Sequence, residues 1–542
     1  MLKHAKADEF DFIVVGGGSA GAAVAARLAE RPDLRVLLLE AGRKQADIRF
    51  RLPILTPFAL AKEDAVWNFT TMPEPGLHGR ELVWPRGRGL GGSSLINGML
   101  WVRGDPVEYD LWAASGCTGW SYGDLLDFFK RSETYIPGDP ASRGQLGAVK
   151  VTKHSPADPL SDAFLKACSN MQVSQQDDYN AGISEGAGYL QFNQRRGLRH
   201  GTDRAYLSPA RSYANLTIRE GAVANRILFE GKRAIGVEYC TANGRVCAIA
   251  RREVVLCCGT VQSPKLLELS GVGNGELLSN AGIVPLVHLP GVGENLRDHL
   301  NVRAGFRTRF RGTLNDVQHS FAWKVRAMLR WLGRGDGPLS TIGATAHAFV
   351  KTRSQLERAD VKIQMLHFSA SHNTGNISGR LDDFPGFSIS TFVLRPNSTG
   401  SSHIRSGAVA EPPAIIANYL SHEEDIRSML GAFRFINRIV ADPVFDDLMV
   451  SRENDLASLQ SDQDILEWAK TTGLTSYHPI GTCKMGMDAA SVVDPRLRVI
   501  GVGGLRVVDA SVMPTMPSSN THGPTVMIGE KGAAMILEDN LS

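Results

Sequence analysis

The chain has 542 residues, with 59 Lys and Arg against 56 Asp and Glu, and 43% of it is hydrophobic. That length exceeds one simple core, so two large domains are expected. A formal net charge of +3 gives no footing for nucleic acid or a polybasic anchor, and no apolar run is long enough to span a bilayer.

The charged start, Met1 to Glu9, carries no signal-peptide pattern, which makes the cytoplasm the expected compartment. An apolar strand, Phe10 to Val15, leads into Gly16-Gly17-Gly18-Ser19-Ala20-Gly21, an Ala-rich helix, and a second strand ending at Glu40. In this G-x-G-x-x-G arrangement Gly16 allows the tight turn, Gly18 lets the backbone approach a pyrophosphate, and Gly21 lets helix and strand pack closely. The pyrophosphate would lie on free N–H groups at the helix start. Glu40 stands at the spacing of an acid that takes a ribose hydroxyl, in NAD or FAD alike. A Gly-rich turn without a ligand leaves Glu40 at a strand end unexplained.

A Pro- and Gly-punctuated stretch then reaches Trp84-Pro85-Arg86-Gly87-Arg88-Gly89-Leu90-Gly91-Gly92-Ser93-Ser94-Leu95-Ile96-Asn97-Gly98-Met99. Its composition suits backbone wrapped closely around a ligand. Short β-like runs from Leu216 to Ala248 include a hairpin turn at Asn243-Gly244. Glu253 to Gly259 reads as a buried strand, and Gln262 to Leu269 as a helix closed by Ser270-Gly271-Val272-Gly273.

From Thr308 to Thr472 β-type runs mix with amphipathic helices, without a nucleotide fingerprint, and substrate contacts are expected there. Within it Phe321, Val325, Met328 and Leu332 recur at helical spacing, widened by Leu329 and Trp331, beside Lys324, Arg326, Arg330 and Arg334. Two readings stand: a helix packed on the substrate domain with solvated arginines, or an entrance element that gates the pocket or rests on a membrane surface. The segment from Tyr477 returns to glycine-rich turns and strands such as Leu505 to Asp509, so the nucleotide domain is expected to be discontinuous. Cys117, Cys168, Cys240, Cys247, Cys257, Cys258 and Cys483 form no C-x-x-C pair and no zinc spacing; they read as free thiols, and no metal is expected.

Four separated segments together resemble the glucose–methanol–choline (GMC) oxidoreductases, the flavin-dependent alcohol oxidases and dehydrogenases. They are the N-terminal fingerprint, Gly89 to Asp110, Gly259-Thr260-Val261-Gln262-Ser263-Pro264 through Gly273, and the C-terminal pair Ser476 to Gly486 with Met513 to Thr525. The resemblance implies an α/β fold, with a discontinuous Rossmann-like FAD-binding domain (1–158, 199–307 and 475–542). An α+β substrate-binding domain with an antiparallel sheet (159–198 and 308–474) completes it. It implies FAD and not NAD.

An alcohol becomes a hydride donor only as its hydroxyl proton leaves, which needs a base and a donor for the developing alkoxide. His478 matches the family's catalytic position and is the expected base. Asn520, 42 residues later, matches the position of a second His or an Asn and is the expected donor. A histidine beside proline, or an Asn in a polar turn, is otherwise an ordinary loop residue. His522 is the rival partner, since residues two apart in an extended loop share a side.

On the flavin, the resemblance runs Asn97, Gly98, Met99 and Leu100 along the isoalloxazine edge, the Val223 backbone near adenine, and Asp509-Ala510 near the ribityl and pyrophosphate. Ser19, Ala41, Gly91, Tyr477 and Thr521 complete the expected set. Ile96 stands where some members carry a histidine bonded to FAD, so non-covalent FAD is expected. The implied reaction is oxidation of a primary alcohol to an aldehyde, with hydride passing to flavin N5. Choline dehydrogenase proper and a hydroxynitrile lyase on the same scaffold stay as alternatives, and an NAD-dependent dehydrogenase is the rival from outside the family. Oxygen or a quinone-type carrier is the expected electron acceptor, and contact with the inner face of the membrane is left open.

Overall fold

The run Phe10–Val15 forms the middle of a seven-stranded sheet in the computed structural model, which describes residues 8–154, 157–182, 185–370, 381–450, 459 and 461–541. In spatial order the strands are Leu216–Glu220, Val36–Glu40, Asp8–Val15, Gly244–Leu256, Arg233–Thr241 and Val223–Glu230. The first four pair in parallel, and the last two continue as an antiparallel meander from the long strand Gly244–Leu256. The far end of that long strand also takes Leu505–Val507 in parallel. First, middle and last parts of the chain therefore share one sheet.

Val36 to Leu39 are almost fully buried, as expected of parallel strands covered on both faces. The Ala-rich helix Ser19–Ala29 covers one face and is itself covered by the C-terminal helix His522–Leu541. Close approach explains Gly529 there, since a Cβ would lie 2.7 Å from the Ala20 carbonyl oxygen. A buried ion pair, Arg27 to Glu530 at 2.8 Å, ties the two helices together.

A second, six-stranded sheet is antiparallel throughout: Leu474–Thr475, Leu300–Arg307, Gly386–Val393, Val361–Leu366, Ala344–Val350 and Gly186–Tyr189. Side chains alternate between its faces. Val302, Ala304, Phe306, Ile363 and Ile389 face a core shared with helix Glu423–Ala441. Asn301, Arg303, Gln364, Ser390 and Phe392 face a large cavity.

The strand Leu300–Arg307, grouped with the nucleotide-binding part by the boundary at 307, is hydrogen-bonded into this second sheet, next to Gly386–Val393. Its other edge pairs Leu300 with Thr475, and the Ser476 amide donates to the His299 carbonyl at 2.8 Å. This junction brings His299 beside His478.

Candidate active site

One cavity of about 1650 Å³ runs from the glycine turn to the second sheet. That exceeds the roughly 300–1,000 Å³ of ordinary small-ligand sites and leaves room for a dinucleotide and a substrate together. Its walls include Gly16, Gly18, Ser19, Glu40, Ala41, Asn97, Gly98, Met99, Leu100, Val223, Tyr477, His478, Asp509, Ala510, Asn520 and Thr521.

Two of the expected glycines lie elsewhere. Gly21 sits in the helix–strand contact, where a Cβ would overlap the Gly16 carbonyl oxygen. Gly91 donates its N–H to the Gly17 carbonyl at 2.8 Å and so joins the two glycine-rich segments.

The glycine turn separates what the chain demands from what a ligand demands. A Cβ on Gly16, whose φ is +102°, would lie 2.5 Å from the Cys257 carbonyl oxygen. A Cβ on Gly18 would meet nothing nearer than 3.9 Å. The chain itself places no demand on Gly18, which suits a position kept bare for close approach of a ligand. Glu40 is buried and accepts from the Gly17 and Gly42 amides, both at 2.8 Å. Burial pushes its carboxyl upward while those amides pull it back. Asp509 accepts from the Gly259 amide at 2.8 Å, the Ser263 hydroxyl at 2.6 Å and the Ser511 amide at 2.8 Å. These carboxylates pin the turns around the cleft.

Several buried polar atoms on the same walls have no hydrogen-bond partner among the described residues: Nε2 of His522, Nε and Nη2 of Arg86, and Nε of Arg88. Such orphans call for a partner from outside the chain. With the bare Gly18 and the spare volume, they fit a bound dinucleotide.

At the far end of the cleft, His478 is held by three contacts. Its backbone N–H donates to Asp298 Oδ1 at 2.7 Å, and that carboxylate also accepts from the Thr475 and Tyr419 hydroxyls. Its Nδ1 lies 3.0 Å from Nδ1 of His299, and its Nε2 lies 2.9 Å from Nδ2 of Asn520. Tyr477 (φ +63°) and Ser519 (φ +121°), the residues just before His478 and Asn520, both have left-handed backbone. Such strain, of order 1–3 kcal/mol each, gathers at functional sites.

The tautomers follow by elimination. Nε2 of His299 is 3.0 Å from the Leu394 carbonyl, which only accepts, so that nitrogen carries the proton. Burial lowers His299 to about 3, so its ring is neutral and its Nδ1 is a bare acceptor. Nδ1 of His478 must then donate to it. Burial, then His299, Lys362 and Arg86, hold His478 well below its usual value. Its Nε2 is therefore an unprotonated lone pair that receives the Asn520 amide. Asn520 Oδ1 in turn accepts from Nζ of Lys362 at 2.8 Å.

The structure thus brings His478 and Asn520 together. His522 faces away from that pair: its Nδ1 is 3.1 Å from the Ser19 hydroxyl, and its ring packs edge-on against Trp101. His299, Asp298 and Lys362 are the members of the site that the sequence reading did not name. Lys362 is fully buried, and desolvation brings it down to about 7.

The chain resembles known proteins over nearly its whole length. Family models described as GMC oxidoreductase match residues 10–301 and 396–529. An oxygen-dependent choline dehydrogenase of Escherichia coli is 38% identical, over 97% of this chain and 94% of that protein. Among solved structures, pyridoxine 4-oxidase from Mesorbium loti superposes with a TM-score of 0.86 at 27% identity, covering 97% of this chain and 98% of that one. A formate oxidase variant from Aspergillus oryzae RIB40, studied for modification of its FAD, gives 0.90 at 26% identity and 99% coverage of both chains. With the glycine turn, the cleft and the His478–Asn520 pair in the places described, the chain belongs to the GMC oxidoreductase family, enzymes that act on CH–OH donors with FAD.

Proposed function

We propose that this protein oxidises a primary alcohol to an aldehyde, with His478 as proton acceptor, Asn520 as the donor that holds the substrate oxygen, and FAD bound without a covalent link. The observation that carries the reading is the 2.9 Å contact between Nε2 of His478 and Nδ2 of Asn520 on the cavity wall. When bound, FAD supplies the hydride acceptor. The turn from Gly16 to Ser19, Glu40, Val223 and the Asp509-Ala510 turn would hold its dinucleotide part, and Asn97 to Leu100 would border its ring.

A hydroxyl that displaces the direct contact between His478 and Asn520 donates its proton to Nε2 and accepts from the amide. As the proton moves, the imidazolium and the alkoxide form side by side. Each favours the charged form of the other, which raises the basicity of His478 when it is needed. The amide of Asn520 carries no competing lone pair on nitrogen, so it binds the oxygen without taking the proton. Ile96, at the edge of the cleft, offers no nucleophile to FAD.

Anaerobic mixing with a panel of alcohols tests this reading: the flavin band at visible wavelengths should bleach with at least one primary alcohol. Re-admitting air, or adding a quinone analogue, then identifies the acceptor class. Cyanohydrin cleavage without bleaching would favour the lyase instead.

A second reading concerns location. Helix Phe321–Arg334 leaves Phe321 81%, Leu329 66% and Leu332 67% exposed, beside exposed Lys324, Arg326 and Arg334. An apolar stripe flanked by cations suits the interface of an anionic bilayer. Among the described residues no helix is long and apolar enough to cross a membrane, so the contact proposed is peripheral.

A further inference from the structure

The second sheet presents its cavity face as rows of side chains in register. Nearest the catalytic pair, Asn301, Phe392 and Lys362 lie side by side on three neighbouring strands, as the pairing of Lys362 with Phe392 and of Val302 with Thr391 requires. Lys362 holds Asn520, and the Phe392 ring stands 5.7 Å from that of His478. Two residues further along, roughly 7 Å by strand rise, Arg303, Ser390 and Gln364 form the next row. All three line the cavity. Among the described residues none of their side chains makes a hydrogen bond or ion pair; the guanidinium of Arg303 lies over the Phe368 ring, 5.1 Å from its centroid.

This row is a set of donors around one cation: a planar fork, a hydroxyl and an amide. A guanidinium matches a carboxylate in shape and in charge. The carboxylates among the described residues lining the cavity are Glu40 and Asp509, both engaged by the turns at the nucleotide end; Asp382 acts on Arg303 through space without lining the cavity or bonding to it. A quaternary ammonium group needs free aromatic faces, and the two beside these rows already carry cations. Phe368 is covered by Arg303, and Lys362 lies over Phe392 at 5.8 Å. Val317, Leu339, Ile342 and Leu366 supply apolar walls between.

We infer that the alcohol this site selects carries a carboxylate at the end away from its hydroxyl, bound by Arg303 with Ser390 and Gln364, on an apolar body of about six carbons. The inference rests on the alcohol-oxidation reading above and narrows it. Choline is then a poor substrate.

The test compares ω-hydroxyhexanoate, the matching hexanediol and choline as anaerobic reductants of the holoenzyme. Hexanoate binding is measured in parallel as a perturbation of the flavin spectrum. The hydroxy acid should exceed the diol in kcat/KM by about tenfold to hundredfold, the range of a charge-assisted hydrogen-bonded pair. Arg303→Met should collapse that ratio and weaken hexanoate by a similar factor, and Gln364→Leu should lower it less. Arg303→Lys, which keeps the charge but not the fork, should restore part of it. Reduction by the diol with no preference for the acid, or a preference for choline, overturns the carboxylate assignment alone. Failure of every alcohol to reduce the flavin overturns the alcohol reading beneath it and this inference together.

Discussion

Nζ of Lys362 lies 2.8 Å from Oδ1 of Asn520, and with the Ser519 hydroxyl at 3.2 Å from the same oxygen it decides which way the Asn520 amide points. The ammonium form of Lys362 can only donate, which fixes the oxygen there and turns the NH₂ group toward Nε2 of His478. A line of hydrogen bonds then runs from Lys362 through Asn520, His478 and His299 to the Leu394 carbonyl. Every group along it has one allowed role. A substrate hydroxyl that parts His478 from Asn520 meets an acceptor and a donor already sorted.

The first prediction concerns the base. His478→Ala should fold and keep FAD, while anaerobic flavin reduction by alcohol slows about a hundredfold or more, the scale of a lost general base. Stopped-flow absorbance measures it. Near-normal reduction would remove His478 from the mechanism.

The donor side gives a double-mutant cycle. Asn520→Ala should slow reduction by less than loss of His478 does. Lys362→Met should slow it by about tenfold, because the amide is then free to turn and present its oxygen to the lone pair of His478. If Lys362 acts only through Asn520, the double variant should be no slower than Asn520→Ala alone. Additive losses would give Lys362 a separate role. A silent Asn520→Ala beside a damaging His522→Ala would move the donor two residues along, despite the contact of His522 with Ser19.

The FAD link is read from a pellet. Acid or heat denaturation should release all yellow colour into the supernatant, because Ile96 has no atom to bond flavin carbon. Colour retained on the precipitated chain contradicts this.

The chemistry-bearing motifs were legible because they are local: the glycine turn, the Gly-Gly-Ser-Ser segment and the loop around His478 each lie within a short stretch. Lys362 was not. In Val361-Lys362-Ile363-Gln364-Met365 it alternates with apolar residues, as on any strand with one face in water. Only the fold reveals that this face is the cavity wall, closed by Asn520 from 158 residues away. His299 was hidden for a related reason, since it precedes the strand Leu300–Arg307 and meets His478 through the pairing of Leu300 with Thr475. The helix Phe321–Arg334 has the expected period, yet two of its stripes are apolar, and periodicity does not say which one faces inward.

The buried histidines give stability against pH two limbs that meet near 6.5, their ordinary value. Burial lowers His299 to about 3 and His522 to about 4. Unfolded, both take up protons below 6.5, whereas folded they stay neutral, so stability falls as pH drops from 6.5 toward 4. His403 is the reverse case: burial opposes its charge, but Glu268 at 2.7 Å and Glu294 at 3.1 Å raise it to about 9. Its contribution, about 1.4 kcal/mol per unit, is complete below 6.5 and is lost as pH rises to 9. Lys362 and Lys265 act against this limb: burial brings them to about 7 and about 8, while unfolded they hold their protons to about 10.5. Their share of stability rises with pH above those values. His403→Gln should therefore shift the melting temperature between 6.5 and 9 toward a rising line relative to the unaltered protein, while keeping the acid limb. Profiles parallel to the unaltered protein would show that the ion pair adds nothing.

The last prediction concerns the helix Phe321–Arg334. Trp323, Ala327 and Trp331 recur four apart and form its inward stripe, packed with Leu52, Val317 and Leu339. Phe321, Val325, Met328, Leu329 and Leu332 point outward. Of the two readings of that apolar face, packing on the substrate domain is not what these residues do: they are exposed, and the tryptophans are the anchors. Lys324 lines the cavity, which places the helix at its mouth. Arg326 stacks on Trp323 at 4.9 Å, and Arg330 is held by Asp336 at 2.7 Å, so Lys324 and Arg334 remain to meet anionic headgroups. Replacing Phe321, Leu329 and Leu332 with Ser should leave melting temperature and FAD content near their starting values, because these side chains bury little. It should abolish sedimentation with vesicles rich in phosphatidylglycerol and weaken oxidation of long-chain relative to short-chain alcohols. Trp323→Ser with Trp331→Ser should instead cost a few kcal/mol of stability, as lost aromatic burial does. If the Phe321, Leu329 and Leu332 variant still sediments with the vesicles, or the unaltered protein never does, the outward stripe has no part in membrane contact.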